Sequence, residues 1–139
     1  MKKLALAAFG TLVAMAAHAE NLANVDEFLC SVSRISLCAE TGECYDVQPW
    51  EIGVPQFVII DTGRKLVSTT RASEQQRSTP IANYSREGGL IYLQGMEGGR
   101  AFSFVIDETT GLITVAVARD GISVSVFGAC TDADVEPAI

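Results

Sequence analysis

The C-terminal third of the chain reads "AFSFVIDETTGLITVAVARDGISVSVFGAC", residues 101 to 130, in which apolar residues recur at every second position through three runs separated only by short turns. Successive side chains of a strand point to opposite faces. Phe102, Phe104 and Ile106 therefore share a face, as do Ile113, Val115 and Val117, and again Ile122, Val124 and Val126. Turns as tight as Thr110-Gly111 and Asp120-Gly121 cannot carry the crossover that parallel strands need, so these runs are antiparallel neighbours with one face buried.

The same punctuation extends upstream through Asp61-Thr62-Gly63, Gly88-Gly89 and Gly98-Gly99. "EFLCSVSRISLC" reads as a long first strand in which Phe28, Cys30 and Val32 share a face while Ile35 and Leu37 fall in the opposite phase, and a β-bulge near Ser33-Arg34 reconciles them. "CYDVQPW", "PQFVIID", "KLVSTT", "IANYS" and "LIYLQG" supply further strands, and the polar residues 71 to 80 read as a loop. The fold class is all-β: a small antiparallel meander barrel of about eight or nine strands, with a β-sandwich as the alternative.

Residues 1–19 are set apart from that domain. Lys2 and Lys3, the apolar stretch Leu4 to Ala16 and Ala17-His18-Ala19 have the form of a secretory signal peptide cleaved before Glu20. The apolar stretch is shorter than the roughly 20 residues of a membrane span. A periplasmic or secreted protein is expected, with residues 20–139 as a single β domain. Cleavage removes His18, the only histidine, and with it any His-based triad, His-ligated metal or histidine base. It also leaves 8 Lys and Arg against 17 Asp and Glu, a net charge of −9. Such a surface repels phosphate backbones, which argues against nucleic acid and against binding anionic lipid, and fits a cationic envelope or cell-wall protein as partner.

Four cysteines in an exported chain point to disulfides. Their spacing has neither the C-x2-C pairs of zinc sites nor a thioredoxin-like C-x-x-C, so no metal or cofactor is expected. Of the three possible pairings, strand phase favours Cys30–Cys130, on the buried faces of the first and last strands, with Cys38–Cys44 clipping the first hairpin.

One stretch carries a candidate catalytic signal. "FVIIDTGRK", residues 57 to 65, resembles the active-site signature of aspartic proteases, and the resemblance implies a retropepsin-like dimer using Asp61. Where that family usually has Ser, Thr or Ala after the glycine, this chain has Arg64 and Lys65, and cations there hold the aspartate ionised. Asp132, Asp134 and Glu136 alternate like calcium ligands, but Pro137 follows and no EF-hand glycine is present, so a solvated tail is expected. Without a recognisable catalytic set, the chain reads as a non-enzymatic binding or inhibitor-like module, a monomer sooner than an oligomer. Its class resembles the small periplasmic lysozyme inhibitors, although Tyr84 to Gly89 does not reproduce their contact motif. Trp50, Arg71, Arg77 and Arg86 are the candidate contact residues, with Trp50 expected to cap the core unless it serves as an exposed contact.

Overall fold

A computed structural model of the chain describes residues 21–133. The expected signal peptide, Asp134 and Glu136 lie outside them. The described residues form one antiparallel sheet of ten strands: β1 (Glu27–Ala39), β2 (Cys44–Val47), β3 (Phe57–Asp61), β4 (Leu66–Thr69), β5 (Ser78–Pro80), β6 (Asn83–Glu87), β7 (Leu90–Glu97), β8 (Arg100–Asp107), β9 (Leu112–Arg119) and β10 (Ile122–Asp132). Along the sheet the order is β5-β4-β3-β1-β10-β9-β8-β7-β6. The first strand thus meets the last, as a closing meander requires, and a single curled half-barrel forms in place of two packed sheets. Among the described residues no helix is long and apolar enough to cross a membrane.

β1 organises this curl. Its register with β10 shifts between Val32 and Arg34, so Ser33 is the extra residue of a bulge and both Val32 and Ile35 face inward. The bend lets one edge of β1 serve two partners: residues 27 to 31 pair with β3, and residues 35 to 38 pair with β2. At the bulge β1 and β10 approach so closely that a Cβ on Gly128 would overlap the Ser31 carbonyl oxygen. Cys30 stands directly opposite Cys130, and Cys38 opposite Cys44; both pairs are disulfide-bonded.

The two sheet edges are drawn together by the segment 78–87. Part of the stretch read as loop is β5, whose Thr79 pairs with Val67 of β4; the chain then turns, and β6 pairs with β7. At the corner Ile81 N–H donates to Lys65 O and Ala82 N–H to Gln94 O, one bond to each edge. The β6–β7 and β7–β8 turns are two-residue Gly-Gly loops with positive φ at both glycines, the backbone twist that tight hairpins favour.

The core sits at one end of this barrel. Phe28, Ile60, Ile91, Leu93 and Ile106 are fully buried there, and Leu22, from the segment before β1, is inserted among them. That segment is held by Leu22 N–H to Glu108 O (2.7 Å), Thr62 N–H to Asp26 O (2.8 Å) and Arg86 Nη2 to Val25 O (2.6 Å). This end of the barrel is closed. The opposite end is bounded by the β7–β8 and β9–β10 hairpins and by residues 51 to 55 and 69 to 79, and it is open.

Candidate ligand-binding cavity

Inward parity builds the cavity from the same alternation that builds the core. Towards the open end Val32 of β1, Val58 of β3, Phe102 and Phe104 of β8, Val117 of β9 and Ile122 of β10 point inward yet remain only half-buried, because no side chain fills the space between them. The cavity they enclose has a volume of about 410 Å³. Phe102 and Phe104 form one wall, with ring centroids 5.1 Å apart. Gly95 on the neighbouring β7 leaves room for the Phe102 ring, which a Cβ there would strike.

Its mouth changes chemistry abruptly. Glu97 pairs in register with Arg100, and Arg119 lies one residue beyond the Ala101–Ala118 pair, so Glu97, Arg100 and Arg119 form the last inward row above Phe102 and Val117. Arg77 completes the rim. Its Nη1 lies 3.8 Å from Glu97 Oε2 and its Nη2 donates to Gly53 O at 3.2 Å. Glu51, also at the rim, accepts the Gln48 N–H at 2.6 Å and caps the 3-10 turn Pro49–Glu51. Arg100 differs from these: its Nε is shielded from solvent and has no hydrogen-bond partner. Among the described residues no carboxylate pairs with Arg100 or Arg119. Leaving a buried charged donor without an acceptor costs about 1–3 kcal/mol or more, and this atom is covered by the β7–β8 turn at Gly98.

The residues singled out in the sequence are dispersed. Arg77 is at the mouth. Trp50 is 74% exposed in the turn next to the rim residues Glu51 and Ile52, so it does not cap the core; Pro49 takes the buried position of that turn and directs Trp50 outward. Arg71 is exposed on the loop that leads to Arg77. Arg86 belongs to the closed end, where its Nε lies 2.9 Å from Glu108 Oε1, a close charge contact without good hydrogen-bond alignment, and its guanidinium stacks over Phe28 at 6.0 Å. Arg100 and Arg119 were not anticipated. Their signal was present: each has the inward phase of its strand, Arg100 with Phe102 and Phe104, Arg119 with Val115 and Val117.

Asp61 ends β3 on the side away from the mouth. Partial burial pushes its carboxyl up, but the Arg64 backbone N–H (2.7 Å to Oδ1) and guanidinium (2.6 Å to Oδ2), with the Gly63 N–H, outweigh that and hold it below its ordinary 3.8. A proton shared between two aspartates needs a carboxyl that protonates readily, and this one is held ionised. Asp107 is likewise lowered, by the N–H groups of Thr110 and Thr109 that close the β8–β9 turn. Among the described residues no group of three or more His, Cys, Asp or Glu could hold a metal ion. The chain matches no family model and no curated protein.

Proposed function

We propose that the protein is an exported, non-enzymatic binding protein that holds a small apolar molecule inside the open end of its half-barrel. The observation that carries this reading is the cavity itself. Its volume of about 410 Å³ falls in the range of small-molecule sites, and its wall is mostly apolar, with a few hydroxyl groups and with the charged residues confined to the mouth. Packed barrels of this size fill their interior with their own side chains, so an unfilled apolar end on a disulfide-bonded frame is a feature in need of an occupant. The two disulfides and the signal-like N-terminus support a periplasmic or secreted location.

The test is a titration of disulfide-intact residues 20–139 into the neutral fluorophore aminoanthracene. Saturable fluorescence enhancement at one site per chain is the expected result; no enhancement at micromolar protein would refute the reading. The exposed Trp50 beside the mouth, together with the net charge of −9, favours a second reading in which the rim docks on a cationic envelope protein. Inhibition of a cationic muramidase that survives Trp50→Ala would count against it.

A further inference from the structure

Building on the binding reading, we infer that the cavity takes a single-chain amphiphile with an anionic head: a medium-chain carboxylate whose tail lies among Phe102, Phe104 and Val117 and whose carboxylate rests on Arg100 and Arg119. Three observations converge on this class.

Size is the first. The cavity of about 410 Å³ lies at the small end of the range of small-molecule sites, which suits one chain better than a two-chain lipid.

Orientation is the second. The far end is closed by the core around Leu22, Phe28 and Ile60, and the charged residues of the lining, Glu51, Arg77, Glu97, Arg100 and Arg119, all stand at the mouth. A charged group carried to the bottom would lose its hydration and meet no opposite charge, so the charged end of the ligand stays at the mouth.

Charge is the third. Acidic residues outnumber basic ones 17 to 10 in the chain, yet Arg100 and Arg119 stand at an apolar opening without an ion pair among the described residues, although Glu97 is the cross-strand neighbour of Arg100. Of the rim carboxylates, Glu97 lies 3.8 Å from Arg77 Nη1 and Glu51 accepts the Gln48 N–H. Arg100 and Arg119 both line the cavity, and a guanidinium fork is shaped for a carboxylate.

The experiment compares dodecanoate with dodecanol, same tail and different head, by displacement of bound aminoanthracene from the wild-type protein below the micellar concentration of each. Dodecanoate is expected to displace the dye at a concentration about tenfold or more below dodecanol, the effect of a charge-assisted hydrogen bond. Octanoate should be weaker than dodecanoate. The double variant Arg100→Gln with Arg119→Gln, with folding checked by circular dichroism, should bring dodecanoate to the level of dodecanol and leave dodecanol unchanged. If dodecanol matches dodecanoate on the wild-type protein, the anionic head is wrong while binding in the cavity stands. Should neither displace a dye that itself binds, the single-chain class is wrong, and a protein that binds no dye and no chain loses both readings. The comparison on the wild-type protein decides the matter even where the variant fails to fold.

Discussion

Replacing Cys30 and Cys130 by alanine should destabilise the domain far more than replacing Cys38 and Cys44, although each change removes one cross-link between strand neighbours. The two bonds close loops with sequence separations of 100 and 6. In the chain-entropy model the long loop corresponds to about 4.7 kcal/mol and the short one to about 2 kcal/mol, a difference of about 2.5 kcal/mol that depends only on the ratio of the separations. Packing acts in the same direction, because Cys30 and Cys130 are both buried in the core whereas Cys44 is exposed. Alanine is the right replacement, since serine would bury two hydroxyls. Urea unfolding of the wild type and both double variants, without reductant, gives the two losses directly. The slope m should also rise more for the Cys30/Cys130 variant, whose unfolded chain is freed to expand. Equal losses, or a larger loss for the 38–44 pair, would refute the argument that the long-range staple joining β1 to β10 dominates.

Three other outcomes follow from the geometry. Leu22→Ala, at a fully buried position in the closed end, should cost about 2–5 kcal/mol in thermal or urea unfolding. Val117→Trp should fill the mouth and abolish aminoanthracene binding while the far-ultraviolet spectrum remains that of a β protein; dye binding at wild-type strength would place the site elsewhere. Asp61 has a folded pKa below its ordinary 3.8, so its contribution to stability is present above about pH 4 and is lost as pH falls through the lowered value. The stability difference between wild type and Asp61→Asn, measured by urea unfolding from pH 7 to 2, should therefore be largest above about pH 4 and shrink below it.

The barrel was legible because its strongest signals are local. Period-two alternation fixes which face each of β7 to β10 buries, and the Gly-Gly turns fix the hairpins that join β6, β7 and β8. The break in phase between Val32 and Ile35 located the bulge, and the shared phase of Cys30 with Phe28 and of Cys130 with Val126 put two cysteines where a bond could join the strands. Where pairing depends on distant partners, the sequence speaks less clearly. β5 is three residues in a polar stretch and exists because Thr79 meets Val67 on β4. Trp50 follows a buried proline, and nothing in its own neighbourhood announces which of the two residues turns inward.

The cavity was the least legible feature, for a physical reason. Alternation says that Phe102, Val117 and Ile122 point inward, but it cannot say whether what they point at is another side chain or empty space, because that depends on how far the curled sheet holds opposite walls apart. Here the bulge in β1 bends the sheet, and the corner at Ile81 and Ala82 ties its edges together. Leu22 then fills one end, and no comparable side chain fills the other. A ring of inward valines and phenylalanines that ends in inward arginines is what such an open end looks like in sequence. An arginine in the inward phase at the terminal position of a strand, Arg100 at the start of β8 and Arg119 at the end of β9, marks the point where the barrel wall passes from core to mouth.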